Sequence, residues 1–371
     1  MNGAESRRRW LIISLQGLGD TIMLTPLLRR LDAMPDVSLT MVLSDNGSAQ
    51  YIRTLHLRRL SEIYIWRERD SAVKNILRLA PLLARDAFDT AVATYPSGRR
   101  ESLLLFVVRA DEKRIFRYYK GFLKSWQFLH PRAPVADPGL HNVEANARLL
   151  GVPLPENRAR ACRLSDNEIP TVGFHIGSKG ESKRWSVDNF AQVMWTLRER
   201  FGCRLVVFAG RDEVGLVEML RARLSEGFEA LVGRDFTEVI TSLSGLALFV
   251  GNDSSVAHLA STVGVPTIVL WSFGEFWRVS PYGKGNIVLK RDYSCIPCYD
   301  FTKPYVVDCP FRLRCIKDIP ASHVSEVATV YLNCILEGRV LSSQELSKLD
   351  FVVAVEQLRT GCWLVTLGNT G

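Results

Sequence analysis

Residues 246–250 are an unbroken apolar run that passes straight into Gly251-Asn252-Asp253-Ser254-Ser255-Val256-Ala257-His258-Leu259-Ala260, the last part of which reads as a short helix. Few junctions constrain a fold more. A buried strand that turns at once into a helix belongs in a parallel sheet with crossover helices. The first backbone N–H groups of such a helix lack partners within it, and they suit a phosphate lying beyond the strand end. Asp253 acting as a plain helix cap would account for the same residues without any ligand. Downstream come Gly264-Val265-Pro266, a second apolar run to Trp271, and Pro281-Tyr282-Gly283.

The same alternation recurs along the chain. Strand-like runs at 11–15, 39–43 and 90–93 are separated by helical patterns such as 72–84. A stretch at 151–170 containing Pro153, Pro155 and Pro170 reads as a linker. The pattern then restarts: strand 171–176, helix 187–201, strand 204–209, helix 213–224, and strands 246–250 and 267–271. At 371 residues the chain exceeds one typical core. We therefore expect an α/β protein of two domains, residues 1–160 and 161–335. Residues 336–371 should form a helix and tail that pack back on the first domain. The first domain opens with a strand, the turn Gln16-Gly17-Leu18-Gly19-Asp20, and apolar residues at helical spacing over 21–31. Asp20 thus falls at the carboxyl end of a strand, where doubly wound sheets place their ligands. A helix cap is the alternative reading.

Together these segments resemble glycosyltransferase family 9, the ADP-heptose:lipopolysaccharide heptosyltransferases. The resemblance rests on Gly19-Asp20 followed by Thr25-Pro26, on 253–260, on Gly264-Val265-Pro266 and on Pro281-Tyr282-Gly283. Two middle segments add to it: 141–152, and Gly177-Ser178-Lys179 through Lys183-Arg184-Trp185. It implies a GT-B architecture, two facing Rossmann-like domains with a cleft between them. It also implies inverting, metal-independent transfer of heptose from ADP-heptose to the lipopolysaccharide inner core. Carried over residue by residue, Asp20 is the general base. Ser178, Lys183, Glu213, Asp253, Ser254, Ser255 and His258 bind the donor, with Asp212 an alternative to Glu213. Gly19, Arg99 and Arg100 face the acceptor. The chain departs from the family pattern at Ser255, where glycine is usual, and at Ser254, which replaces the commoner threonine.

Charge bears on partners. The chain has 47 basic and 39 acidic side chains, a net charge of +8. That excess suits a polyanion: nucleic acid, an anionic membrane surface or a phosphorylated glycolipid. Arg99, Arg100, Arg109, Lys113, Arg114, Arg117, Lys120 and Lys124 interleave with Phe116, Tyr118, Tyr119, Phe122 and Trp126. This pattern fits single-stranded nucleic acid, a rim for an anionic glycolipid, or a merely solvated helix face. With the family resemblance, the expected acceptor is an anionic glycolipid, with peripheral contact to an anionic membrane and no nucleic acid partner. A nucleic-acid-binding protein would leave Asp20, Lys183 and the Asp253 turn unexplained. A dinucleotide oxidoreductase is disfavoured because Gly17-Leu18-Gly19 lacks a third glycine. The apolar run after Arg7-Arg8-Arg9 is too short for a signal peptide, so a cytoplasmic chain is expected, peripheral on the inner face of the inner membrane. Cys295, Cys298, Cys309 and Cys315 form C-x2-C-x10-C-x5-C, a spacing open to structural zinc or iron or to packed thiols. No cofactor is expected for catalysis.

Overall fold

The computed structural model describes residues 7–118, 126–154, 168–225, 227–298 and 309–368. The chain divides into two units, residues 1–156 and 157–371.

The first unit runs β1 (Arg8–Ser14), α1 (Leu18–Met23), α2 (Thr25–Asp32), β2 (Val37–Ser44), α3 (Ser48–Thr54), β3 (Leu60–Trp66), α4 (Ala72–Ala84), β4 (Phe88–Ala93), α5 (Arg99–Val107), β5 (Ala110–Arg114) and α6 (Asn142–Leu150). Its sheet has the order β3-β2-β1-β4-β5, and every pairing is parallel. β1 sits at the centre with Leu11, Ile12 and Ile13 fully buried, which is why it reads as a continuous apolar run and not an alternating one. Strand order reverses between β1 and β4. The carboxyl ends of those two strands therefore open the crevice where such folds hold ligands.

The second unit repeats the plan with β6 (Thr171–His175), α7 (Val187–Phe201), β7 (Arg204–Ala209), α8 (Val214–Leu224), β8 (Glu229–Val232), α9 (Phe236–Ser244), β9 (Leu248–Asn252), α10 (Ser255–Thr262), β10 (Thr267–Leu270) and β11 (Asn286–Arg291). The order β8-β7-β6-β9-β10-β11 is that of a Rossmann-like doubly wound sheet, with its switch point between β6 and β9. Its core gathers Phe174, Trp185, Phe190 and Leu197 with Val324, Val327 and Leu332 of the long helix Ala321–Leu336. Trp185 and Phe190 meet edge to face with centroids 4.9 Å apart. Full burial of side chains this size contributes roughly 1.5–3 kcal/mol each. Ser186 caps α7 by accepting from the Asp188 N–H, and Gly202 at φ 59° ends it.

Three expectations are corrected. The single helix expected over 21–31 is two, because Pro26 lacks an N–H and starts a new helix after Leu24. The basic and aromatic stretch is no single helix face. It contains α5, the edge strand β5 and a bridge from Arg117 to Val135, while Tyr119, Lys120, Phe122 and Lys124 lie outside the described residues. Finally, residues 336–371 are not a helix and tail. After a short helix, Ser343–Ser347, they form β12 (Val352–Gln357) and β13 (Trp363–Leu367). β13 pairs parallel to β11 and β12 antiparallel to β13, extending the second unit's sheet. Leu364, Val365 and Leu367 are buried there, so apolar burial draws this segment onto its own unit.

Candidate functional site

In the second unit the site grows from the ends of β6 and β9. Asn252, fully buried at the end of β9, ties the local loops together. Its Nδ2 donates to the carbonyls of Ile176 (3.0 Å) and Gly177 (3.2 Å), and its Oδ1 accepts from the Trp185 N–H at 3.0 Å. Trp185 is anchored in turn by its indole N–H to the Ile319 carbonyl at 2.9 Å. This clamp fixes the loop that carries Lys183 beside Asp253. The Lys183 ammonium donates to Asp253 Oδ2 and lies 5.7 Å from the Phe273 ring centroid.

Asp253 is thus a partner of Lys183, and the helix cap is its neighbour. The Ser254 hydroxyl oxygen accepts from the Ala257 N–H at 3.4 Å, and Ser255 is the first residue of α10. The N-terminus of that helix carries a partial positive charge. His258, one turn in, is buried with Nε2 3.8 Å from Asp253 Oδ1. Its Nδ1 is buried without a hydrogen-bond partner among the described residues. Burial pushes the imidazole below its ordinary pKa against the pull of Asp253, and Lys183 adds to the fall. Ser178 is buried, and its hydroxyl donates to the Gly180 carbonyl at 2.7 Å, so its proton is used within the loop.

Glu213 rather than Asp212 turns inward. Asp212 is exposed, whereas Glu213 accepts from the Gly210 N–H at 2.7 Å and sits 3.1 Å from His175 Nε2. Burial raises the Glu213 carboxyl, but His175, the Gly210 N–H and Arg184 together hold it below its ordinary value. The close fit also explains Gly177. A Cβ there would lie 1.7 Å from Glu213 Oε1, so a side chain at 177 would push the Glu213 carboxylate out of this position.

In the first unit, Asp20 lies in the first turn of α1, half-buried, with Oδ1 accepting from Asn142 Nδ2 at 3.3 Å. Gly17 precedes the helix and Gly19 lies within it. The turn is braced from behind. Gln16 donates to the fully buried Glu101 at 2.7 Å, Asn46 donates to the Gln16 carbonyl at 2.8 Å, and Arg100 donates to the Leu15 carbonyl at 2.8 Å. Burial raises the Glu101 carboxyl, against Arg100, backbone N–H groups and Gln16. Arg100 also pairs with Glu68, so it serves the strand ends directly. Arg99 begins α5.

The four cysteines of the cluster all lie among the described residues, while 299–308 between them lie outside these. Cys295, Cys298, Cys309 and Cys315 are thiols. Among the described residues no group of three or more His, Cys, Asp or Glu side chains could hold a metal ion. The four lie near enough for their charges to be felt: burial, then Cys298, Cys309 and Cys295, push the Cys315 thiol up to about 12.

Sequence reasoning missed Asn252, Asn142 and Glu101. The partners that give Asn252 and Asn142 their roles lie far along the chain, whereas Glu101 also closes a local capping box with the Gly98 N–H. The second unit gathers a fixed ammonium beside a helix N-terminus and a carboxylate past the neighbouring strand; the first unit, taken by itself, holds a hydrogen-bonded carboxylate at its switch point. The first pair suits a nucleoside diphosphate and the last a proton acceptor.

The family model for glycosyltransferase family 9 (heptosyltransferase) matches residues 141–331, just over half of the chain. The chain therefore belongs to that family. It is 27% identical over 162 residues to lipooligosaccharide heptosyltransferase 2 of Campylobacter jejuni, a match covering 42% of this chain and 49% of the relative. It is 25% identical over 232 residues to lipopolysaccharide core heptosyltransferase OpsX of Haemophilus influenzae, covering 58% and 66%. The chain thus spans about half to two thirds of the curated relatives it matches. Among solved structures, E. coli heptosyltransferase WaaC with ADP superposes with a TM-score of 0.65 at 17% identity, covering 87% of this chain and 99% of that one. The fold class is accordingly GT-B, with a Rossmann-like α/β unit in each half. Among the described residues, no helix is long and apolar enough to cross a membrane.

Proposed function

We propose that this chain transfers heptose from ADP-heptose to the inner core of a lipopolysaccharide, with inversion and without a catalytic metal. The observation that carries the reading is Lys183, held by the Asn252 clamp beside Asp253 and the start of α10. An incoming diphosphate would draw the ammonium from Asp253, and charge-assisted bonds to phosphate are strong. The α10 N–H groups and Ser254 support the same anion, and His258 lies beneath them. Ser178 retains an acceptor oxygen at the rim. Glu213, past β7, accepts hydrogen bonds from the ribose hydroxyls in this reading.

On the first unit Asp20 takes the proton from the acceptor hydroxyl. That oxygen bonds to the anomeric carbon as the bond to the diphosphate oxygen breaks, and ADP leaves on the opposite face. The ammonium and helix terminus stabilise the charge growing on the leaving phosphate. Gly19 allows close approach, and Arg99 offers charge to an anionic acceptor. Arg100, already engaged by Glu68 and Leu15, acts by holding the strand ends. Exposed Phe106, Val107 and Phe128, with Lys113 donating to the Phe106 carbonyl, support peripheral contact with an anionic membrane, on its cytoplasmic face.

Calorimetry and turnover across a panel of ADP-, GDP- and UDP-sugars test the reading. ADP-heptose should bind tightest and transfer to a heptose-deficient inner core. Preference for a uridine donor would overturn the donor assignment, and donor binding with no transfer to that core would overturn the acceptor.

A further inference from the structure

The N-terminal turn of α6 reaches both strands of the first unit's switch point. Asn142 and Asn146 lie one helical turn apart on the same face, and Asn146 Nδ2 also donates to the Asn142 carbonyl at 2.9 Å. Asn146 clasps the backbone after β4, accepting from the Tyr95 N–H and donating to the Tyr95 carbonyl, both at 2.7 Å. Asn142 reaches the turn after β1, donating to Asp20 Oδ1. It is 1% exposed, and its Oδ1 is buried without a hydrogen-bond partner among the described residues. A buried amide oxygen left unpaired is costly, so the amide is not placed for its own satisfaction. Its orientation makes sense through Asp20: reversed, it would set oxygen against a carboxylate.

We propose that Asn142 is a positioning residue for Asp20, one that fixes the carboxylate's direction and lowers its affinity for a proton through a neutral donor. The chemical role of Asp20 belongs to the function proposed above, on which the catalytic consequence rests. Asn146 holds α6 to the β4 end, so that Asn142 presents its donor from a rigid base. A hydrogen bond to the charged form favours that form. Losing it should raise the proton affinity of Asp20, while a second carboxylate in its place should raise it further.

The test is a carbon-detected NMR pH titration of aspartate-labelled full-length protein, with Asp20→Asn identifying the Asp20 signal. Asn142→Ala should move the Asp20 titration up by about 0.5–1 pH unit, and Asn142→Asp by more. Aspartate at the first position of a helix suits the helix dipole, so the second variant keeps α6 intact even if alanine weakens it. An Asp20 titration unmoved in the folded Asn142→Asp protein would overturn the proposal. In transfer from ADP-heptose to a heptose-deficient inner core, the acid limb of kcat/KM should follow the same order, with KM for donor unchanged. A shifted titration with Asp20→Asn still at wild-type turnover would sink the base assignment and leave the positioning role standing.

Discussion

Single side chains decide the chemistry, and two of them can be tried directly. Asp20→Asn keeps the shape of the α1 turn but cannot take a proton. We expect a folded protein that binds nucleotide and loses roughly 10²–10⁴-fold in transfer rate, the range typical for removing a general base. Near wild-type turnover would make Asp20 a structural residue of α1. Lys183→Ala removes the ammonium and leaves Asp253, only 9% exposed, without that partner beside an arriving diphosphate. Binding of ADP should weaken roughly 10–100-fold, as expected for a hydrogen bond between charged groups. Adenosine, which lacks phosphates, should bind almost as before. Equal losses for ADP and adenosine in calorimetry would remove Lys183 from the phosphate site. A side chain at Gly177 would act through Glu213, whose carboxylate occupies the space of a Cβ and would have to leave His175 and the Gly210 N–H.

At the scale of elements, caps and clamps do the placing. α10 begins where it does because Ser254 caps it, which leaves Asp253 outside the helix and available to Lys183. The short helix Ser343–Ser347 shows the same logic with a pH signature. Arg339, and then the Ser342 N–H, hold the Glu345 carboxyl down to about 2 from an ordinary 4.5. A depressed folded-state pKa contributes stability that is present above the unfolded value and lost as pH falls through the folded one. Glu345→Gln should therefore cost stability at neutral pH. Its deficit against the wild type should shrink between about 4.5 and about 2. The pair is partly exposed, so salt should reduce the effect. Denaturant melts at several pH values check this, and a deficit that grows toward low pH would contradict it.

For the molecule as a whole, the second unit extends past the segment matched by the family model. That match ends at residue 331, yet β13 lies against β11, burying Val365 and Leu367 in the same core as Phe174 and Trp185 and burying Leu364 as well. Removing residues 340–371 would strip β11 of a paired neighbour and expose those apolar partners. We expect a truncated chain that is largely insoluble or melts far below the full one. Unfolding monitored by circular dichroism decides it, and a truncated chain with an unchanged melt would show β12 and β13 to be dispensable.

Much of this plan was legible in the residues alone. The strand at 204–209 and the helices at 72–84 and 187–201 stand in the structure at those bounds, because periodicity and caps are local properties. The α/β class followed from the order of such segments, and the resemblance to the family from the motifs at their ends. β5 escaped notice because its sequence, Ala-Asp-Glu-Lys-Arg, is charged at an exposed edge, and β12 because its burial pattern is broken. The strand order, and with it the meeting of His175, Gly177 and Glu213 or of Asp20 and Asn142, could not be read in advance. Asn142 is 122 positions from Asp20, and Lys183 is 70 from Asp253. Chain chemistry sets which residues can cap, turn or carry charge, since those are contests between neighbours. Which distant side chains share one desolvated place is settled only when each sheet forms and its helices pack on it, because burial and hydrogen bonding act on position in space and not on position along the chain.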